Sequence, residues 1–396
     1  MEFGPNETER LFERILRDFL ADRLPLDELH RLAASGSGFD DKLWTGLTEL
    51  GLPGVLVPER FGGAGLGTFA AGLAAEALGA FAAPVPFVAA AVMAPLVLLR
   101  SESDAVRAAW LPRIATGTAR FAVASDFGSA SDFAGTSDSG AGATKSGAVQ
   151  QHGDRLSGRI ELPLDAGGAT HVLVLLADGT IAIVAVEAPG AALAIGPSLD
   201  RTRPLGEFIL NDTPAEILPS AGDARGRAQT ILAAGRAMLA ADTLGAAQTM
   251  LDRAVAYARE REQFGRPIGS FQAVKHVCAE MATMVEPARS LVWYATHAQD
   301  ALPDEARVLA CHAKAHLGEI GREVSRMATE VHGGMGFTHE LGLHYWFKRI
   351  SANRQLLGGP ERCRREAAAL QGWGVISPSR AEILVRSATP SGTARA

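Results

Sequence analysis

The sequence predicts a mainly α-helical α+β protein in which a β-rich segment separates two helical regions. Up to about residue 120, apolar residues recur at helical spacing. Residues 121–222 carry short apolar runs between turn residues, which is the pattern of strands. Residues 223–375 return to long alanine-rich stretches whose small apolar faces are typical of a helix bundle. Residues 376–396 have no periodicity, and we expect a tail there.

The first helical region has a defined start and a very apolar interior. Asn6 and Glu9 have the spacing of a capping box at the start of a helix. The most apolar window runs from Phe69 to Leu99 and is interrupted by Glu76 and two prolines. Its uninterrupted pieces are shorter than the ~18 apolar residues that a membrane-spanning helix needs. We therefore expect buried helices and no membrane span.

The β-rich segment has one clear hairpin signal. Two β-rich runs flank Asp178-Gly179, a dipeptide that favours a tight turn between antiparallel strands. Phe208 to Leu210 predicts another short strand. The stretch from Gly128 to Gly147 is rich in Gly, Ser and Ala, and it predicts a flexible loop.

Composition excludes several classes of protein. With 21% charged and 47% hydrophobic residues, the chain is typical of a globular protein. The formal net charge of −6 argues against a nucleic-acid partner. The three cysteines, Cys278, Cys311 and Cys363, have no metal-ligand spacing, so we predict reduced thiols and no metal site. Reduced thiols and an N-terminus without an apolar leader indicate a cytoplasmic protein.

The most informative motif is a helix break after Tyr257. A helix carrying Arg261 is expected to stop at Gly265 and Pro267, which are ordinary stop signals. A new helix is expected to begin near Ser270, and its N-terminal N–H groups form a natural anion site. Two arginines and two amide side chains lie beside this break, which is more polar than a plain connector requires.

Two glycine-rich stretches accompany this break. The first runs from Leu56 to Gly65 and follows a helical region. The second runs from Glu330 to Thr338 and includes Gly333-Gly334. Glycines in such a run let a ligand approach the backbone closely.

Together these three motifs resemble the acyl-CoA dehydrogenase family, as a divergent bacterial member. The patterns are R-x-Q-F-G-x-P-I-x-x-F-Q from Arg261, LVPE-x-x-GG-x-G from Leu56, and Q-x-HGG-x-GFT from Glu330. The resemblance implies an all-α N-terminal domain over 1–120 and a β-barrel-like middle domain over 121–222. It also implies a C-terminal four-helix bundle over 223–375.

The resemblance implies FAD as cofactor. It assigns the diphosphate and ribityl contacts to four residues of the helix break: Arg261, Gln263, Phe264 and Gln272. The second glycine-rich run would touch the FAD of a neighbouring subunit through Glu330, Gly333 and Gly334, with Glu330 in place of the usual glutamine. Ser125 is the predicted contact in the flavin ring pocket, where the family's tryptophan is missing from the segment 160–165.

The position of the catalytic base departs from the family pattern. The family removes a proton from the acyl α-carbon with a carboxylate and transfers a β-hydride to flavin N5. Its usual base position falls on Leu357 and an alternative falls on Gly235, and neither residue accepts a proton. A version found in divergent members falls on Asp242, an isolated carboxylate in an apolar helix, which we predict as the base. Glu361 and Asp252 are weaker candidates.

The resulting prediction is FAD-dependent α,β-dehydrogenation of an acyl-CoA thioester. The resemblance also implies a dimer or tetramer, homomeric or heteromeric, and an electron-transferring flavoprotein as acceptor. One alternative is a catalytically impaired partner subunit of a heteromeric dehydrogenase, because Leu357 and the ring pocket depart from the pattern. A further alternative is a flavin monooxygenase on the same fold, which would consume O2.

Overall fold

The computed structural model describes residues 4–126, 149–196, 198–219 and 222–373. The predicted loop from Gly128 to Gly147 and the predicted tail over 376–396 lie outside these ranges. The structure is mainly helical with a central β-rich part, which confirms the predicted fold class. The α-helices of the described residues are α1 (Glu7–Arg23), α2 (Leu26–Ser35), α3 (Asp41–Glu49), α4 (Gly67–Ala80), α5 (Ala94–Leu99), α6 (Asp104–Ala115), α7 (Ala224–Glu260), α8 (Gln272–Ala301), α9 (Pro303–His332), α10 (Leu343–Gln355) and α11 (Pro360–Leu370).

The first N-terminal helix begins at the predicted capping box, and the predicted apolar window is buried. The Glu9 amide donates to Asn6 Oδ1 at 2.9 Å, and the Asn6 amide donates to Glu9 Oε2 at 2.8 Å, which confirms the capping box. The apolar window forms α4, a π-helical segment over Val88–Met93, and α5, nearly all of it buried. Among the described helices, none has the length and apolarity that a membrane crossing requires.

The middle part consists of two four-stranded sheets that share a core. The strands are β1 (Phe121–Ser125), β2 (Gln150–His152), β3 (Arg155–Glu161), β4 (His171–Leu175), β5 (Ile181–Ala185), β6 (Ala191–Ile195), β7 (Gly206–Pro214) and β8 (Glu216–Ile217). One sheet has the order β1-β4-β5-β8 and the other β2-β3-β7-β6. Side chains such as Val172 and Phe208, one from each sheet, lie in the same buried cluster. β4 and β5 are antiparallel around Asp178-Gly179, which confirms the predicted hairpin.

Helix α7 is the central helix of the fold, because it packs against α4 of the N-terminal region and against α8, α9 and α10. The α4–α7 contact is unusually close. A Cβ atom on Gly79 would lie 1.9 Å from the Asp242 carbonyl oxygen, and one on Gly245 would lie 1.9 Å from that of Glu76. Only glycine fits at positions 79 and 245. The close approach of the α4 and α7 backbones therefore fixes the position of Asp242.

Three histidines and a tyrosine join α2 to the segment that leads into α10. His30 Nδ1 lies 2.8 Å from the Tyr345 hydroxyl, and the His30 and His339 rings stack with centroids 4.2 Å apart. The His344 ring lies 4.1 Å from the Tyr345 ring. Burial, Lys348 and the neighbouring imidazoles lower the pKa of His344 to about 4.

We expect this histidine cluster to make the fold sensitive to mild acid. The unfolded His344 has a pKa of about 6.5. Between about pH 6.5 and pH 4 the folded state therefore binds fewer protons, and its stability falls as the pH drops through that window. His344→Gln should flatten the decline of the unfolding free energy between about pH 6.5 and pH 5, measured by urea titration. The exposed His312→Gln is the control, and an unchanged slope in His344→Gln would exclude this role.

Candidate functional site

The helix break is a β-hairpin. Helix α7 ends at Glu260, earlier than the predicted stop at Gly265, and β9 (Glu262–Gln263) pairs with β10 (Arg266–Pro267). Phe264 and Gly265 form the turn with φ angles of 55° and 75°. These left-handed angles favour glycine and end the helical geometry. The sequence reasoning recognised the stop signals but not the paired strands.

The side chains of this hairpin face solvent. Arg261, Gln263 and Gln272 are exposed, and Phe264 is 93% exposed. Gln272 is the first residue of α8, so the positive end of a 30-residue helix lies beside the arginine. A cationic, amide-rich surface at a helix N-terminus fits a diphosphate.

The second glycine-rich run lies beside the hairpin. α9 ends at His332, and Gly333–Phe337 forms a 3-10 turn whose Phe337 is 84% exposed. The buried His332 ring stacks on Tyr257, near the end of α7, with centroids 4.6 Å apart. This stacking places both motifs at one end of the bundle, with Gly333 and Gly334 exposed.

Glu330 does not present a free charge near this surface. Its carboxylate accepts a hydrogen bond from Arg326 Nη1 at 2.8 Å, one helical turn away. The pair is exposed, so it contributes little to stability. It nevertheless neutralises the carboxylate that replaces the expected glutamine.

Asp242 does not have the surroundings of a general base. Its side chain is almost completely buried, and Arg349 binds it through two hydrogen bonds of 3.0 and 2.8 Å. Arg203 lies 3.2 Å away, and the Asn353 amide donates at 2.6 Å. Burial alone would raise the pKa of the Asp242 carboxyl, but the charges of Arg349 and Arg203 outweigh it and lower the pKa to about 2. These surroundings are those of a buried ion pair, and the role of Asp242 as the base stays a prediction.

The hydrogen bonds and ion pairs around Asp242 connect the N-terminal helices, the β-rich part and the C-terminal helices. Arg203 also pairs with Asp165 at 3.2 Å, and Asp165 accepts a hydrogen bond from the Ala89 amide at 2.9 Å. Arg349 additionally donates to Thr202 Oγ1 at 3.1 Å. Sequence reasoning missed these partners. The one local signal was the i, i+4 spacing of Arg349 and Asn353, which places both on one face of α10.

The two positions to which the resemblance assigns the family's base meet in space, and both are apolar. A Cβ atom on Gly235 would lie 2.6 Å from Leu357 Cδ1 and 2.7 Å from Met93 Sδ. Leu357 and Met93 thus fill the space in which a side chain at position 235 would lie. We call the contact between Gly235, Leu357 and Met93 the base locus. The weaker candidates Glu361 and Asp252 are outside it: Glu361 pairs with Arg354 at 3.4 Å, and Asp252 is exposed on α7.

Arg236 holds the segment that carries Leu357. Its Nε donates to the Leu357 carbonyl at 2.8 Å, and its Nη1 lies 2.8 Å from Glu366 Oε2. Lys314 Nζ donates to the carbonyls of Arg354 and Gly358 at 3.0 and 3.3 Å. Two buried cations therefore fix the backbone of the base locus although its side chains carry no charge.

The predicted ring pocket is also apolar where the family has a tryptophan. Leu162 is 45% exposed and has a φ angle of 56°. Leu164 is buried and exchanges backbone hydrogen bonds of 3.0 and 2.8 Å with Val123. Ser125 is the last residue of β1, and residues 127–148 lie outside the described ranges.

A cavity of about 380 Å3, its open mouth included, lies beside helix α7. Arg100, Arg227 and Ile231 line it, together with the turn at Gly179. Arg227, Ile231 and Gly235 succeed one another at four-residue intervals, so they lie on one face of α7. The cavity therefore lies on the same face of α7 as Gly235 of the base locus.

The hairpin and the base locus lie far apart within one chain. Gly235 and Glu260 belong to the same helix and are about 38 Å apart at a rise of about 1.5 Å per residue. An extended FAD molecule does not span this distance. The hairpin and the base locus of one chain therefore cannot both contact one such molecule.

The candidate site therefore consists of an exposed cationic hairpin beside a helix N-terminus and an apolar contact between the N-terminal helical region and the helix bundle. Residues 6–118 match the family model "Acyl-CoA dehydrogenase, N-terminal domain" and residues 225–370 match "Acyl-CoA dehydrogenase, C-terminal domain". The chain belongs to the acyl-CoA dehydrogenase family, whose members are FAD-dependent oxidoreductases.

Relatives agree with this assignment. The chain is 34% identical over 336 residues to acyl-CoA dehydrogenase FadE34 of Mycobacterium tuberculosis, a match covering 84% of this chain but only 42% of that protein. It is 29% identical to acyl-CoA dehydrogenase IpdE2 of Mycolicibacterium smegmatis, covering 83% of this chain and 88% of the relative. The solved structure of a variant of the Tcur3481-Tcur3483 steroid ACAD superposes with a TM-score of 0.80 and 30% identity, covering 94% of this chain and 99% of that one.

Proposed function

We propose that this chain is a subunit of an FAD-dependent acyl-CoA dehydrogenase that completes the cofactor site of a partner chain and leaves proton abstraction to that partner. The observation that carries the proposal is the base locus. Leu357 packs on Gly235, so both family base positions are occupied by groups that accept no proton. Asp242, the remaining candidate, is held ionised by two arginines with its lone pairs already bonded.

The exposed hairpin supports the first part of this proposal, that the chain completes the FAD site of a partner. Arg261, Gln263, Phe264 and Gln272 are exposed on one surface, and Gly333-Gly334 lies beside it. An arginine at a helix N-terminus offers charge-assisted hydrogen bonds to a diphosphate. Because the hairpin is about 38 Å along α7 from the base locus, the flavin it helps to hold would react in the partner chain. The bound flavin supplies the hydride acceptor.

The lining of the cavity is compatible with an acyl-CoA thioester as the substrate class. Arg100 and Arg227 would attract anionic phosphates, and Val97, Ile181 and Ile231 are apolar. Such a lining suits a ligand with a charged head and an apolar chain. In this chain Arg236 and Lys314 orient the segment around Leu357, but no side chain of the base locus takes up the α-proton.

The assembly would be a dimer or tetramer with a second, base-carrying chain. The related structure named Tcur3481-Tcur3483 is described by two gene products, which favours a heteromer. An electron-transferring flavoprotein would accept the electrons, and the free thiols of the described cysteines favour the cytoplasm.

A substitution of Arg261 tests whether the hairpin binds FAD. Arg261→Gln should weaken FAD retention in the assembled oligomer by roughly 10- to 100-fold, because a hydrogen bond to a charged group contributes about 1.5–3 kcal/mol. FAD released on dilution is measured by its fluorescence.

The matched control is Arg259→Gln, which removes an exposed arginine from the last turn of α7. Equal FAD retention in the Arg261 and Arg259 variants would show that the hairpin does not bind the cofactor. Loss of FAD in both would point to a general effect of surface charge.

A further inference from the structure

The cavity beside α7 has one cationic and one apolar part. Its charged and polar lining consists of Arg100, Ser101 and Arg227, and its apolar lining of Val97, Ile181, Leu218, Pro219 and Ile231. Val97 and Ile231 are almost completely buried, whereas Arg100 is exposed and Arg227 is half-buried. Water therefore reaches the two arginines more readily than these two apolar side chains.

Two helices each contribute an arginine and a β-branched residue to this lining. Val97 belongs to α5, and Arg100 follows it by three residues at the end of that helix. Ile231 follows Arg227 by four residues in α7. Residues three or four apart share one face of a helix, so each helix turns both of its side chains to the same cavity.

The directions of α5 and α7 bring both arginines to one end of their contact. Met93 precedes α5 and meets α7 at Gly235, where an added Cβ atom would lie 2.7 Å from the Met93 sulfur. The later residue Arg100 shares its cavity with the earlier residue Arg227, so the two helices run in opposite directions. Arg227 is eight residues from Gly235, or about 12 Å along the helix.

The end of the cavity that carries the arginines is electropositive. Arg227 lies in the first turn of a 37-residue helix, whose N-terminus has a partial positive charge. Within the described ranges, Arg100 forms no hydrogen bond or ion pair, and the carboxylate whose charge acts on it is Asp300. Asp300 Oδ2 already accepts hydrogen bonds from the Thr68 amide and hydroxyl at 2.6 and 2.7 Å. An anion would therefore be held here by two guanidinium groups and a helix N-terminus.

We propose that this cavity binds a carboxylate carried on a short hydrocarbon chain. The carboxylate accepts hydrogen bonds from Arg100 and Arg227, and the chain packs on the apolar lining around Ile231. A volume of about 380 Å3 is near the lower end of the range of ligand pockets, which leaves no room for a whole CoA molecule. The apolar side chains also offer no hydrogen-bond partner to the amides of a pantetheine arm, and a buried amide without a partner is costly.

Two sources share this chemistry. One is a free carboxylic acid, and its binding does not rest on the proposed function. The other is an acyl-CoA whose acyl chain ends in a second carboxylate, and this source does rest on the proposed function. Its α-carbon would lie near Gly235 and its distal carboxylate at the arginines, about 12 Å away along α7.

The test is calorimetric titration of the full chain with octanoate, hexanoate and acetate. We expect octanoate to bind, and hexanoate to bind roughly tenfold more weakly because two buried CH₂ groups are lost. Absence of octanoate binding would overturn the proposal. Equal affinity for octanoate and acetate would also overturn it, because the apolar lining would then play no part.

Substitution of each arginine tests its contact with the carboxylate. Arg100→Gln and Arg227→Gln should each weaken octanoate binding by roughly tenfold or more, because each removes a charged hydrogen-bond donor. Arg225→Gln is the matched control, since it removes an exposed arginine from the same turn of α7. Arg100 is exposed, so its substitution should leave the urea unfolding midpoint unchanged. Equal octanoate affinity in the Arg100 and Arg225 variants would refute the site.

Competition against octanoate distinguishes the two sources. Displacement by octanedioyl-CoA but not by octanoyl-CoA would identify the distal carboxylate of an acyl-CoA, and displacement by neither would identify a free acid. Equal displacement by both would show that the CoA phosphates occupy the arginines, and would overturn the assignment to a carboxylate. These titrations involve no reduction of flavin, so their outcome is independent of which chain supplies the base.

Discussion

Asp242→Ala is expected to destabilise the fold by about 3–5 kcal/mol, because it leaves Arg349 and Arg203 as buried charges without their carboxylate. This is a large share of the total stability of an ordinary domain, about 5–15 kcal/mol. Urea unfolding followed by circular dichroism measures the effect. If the variant is largely unfolded in buffer, the loss of folded protein is itself the expected result.

Asp252→Ala is the matched control, since it removes a carboxylate from the exposed side of the same helix. It should change stability by no more than about 0.5 kcal/mol. An Asp242→Asn variant that keeps wild-type stability but loses α-proton abstraction would contradict the structural role and restore Asp242 as the base.

Leu357→Glu is expected to give the chain a base that it lacks. The new carboxylate would enter the base locus on a segment already held by Arg236 and Lys314. The backbone at Leu357 has a left-handed φ angle of 57°. Glutamate would have to adopt the same angle that leucine already adopts there. A positioned general base contributes typically about 10²–10⁴-fold. We therefore expect exchange of the acyl-CoA α-proton for deuterium to rise at least about 10²-fold.

Proton exchange in deuterium oxide, followed by mass spectrometry of the acyl-CoA, reports the base without requiring electron transfer to flavin. Leu357→Gln has nearly the same shape and carries no base, so it should leave exchange at the wild-type level. Equal exchange in the Glu and Gln variants would show that the locus around Leu357 is not where the α-carbon lies.

Local sequence signals predicted most of the fold. The Asn6–Glu9 capping box and the hairpin at Asp178-Gly179 are confirmed because each depends on a few adjacent residues. The helix break was placed correctly along the chain, but its hairpin was missed because two-residue strands leave almost no pattern. The ends of such elements depend on φ angles, as at Phe264.

The base could not be predicted because its surroundings are assembled from distant segments. An isolated aspartate in an apolar helix fits either a catalytic base or an ion pair, and Arg203 and Arg349 lie 39 and 107 residues away. The contact between Gly235 and Leu357 is equally non-local. The resemblance named both positions, but only the packing shows that they are one place.

The most direct test of the partner-subunit account is the flavin spectrum of this chain purified alone, saturated with FAD and mixed anaerobically with a series of acyl-CoA thioesters. The account predicts that the visible absorbance of the flavin is not bleached by any of them. It also predicts that bleaching appears when a base-carrying partner chain is added. Bleaching of the flavin by an acyl-CoA in the wild-type chain alone would contradict it, because this chain would then supply both a base and a complete flavin site.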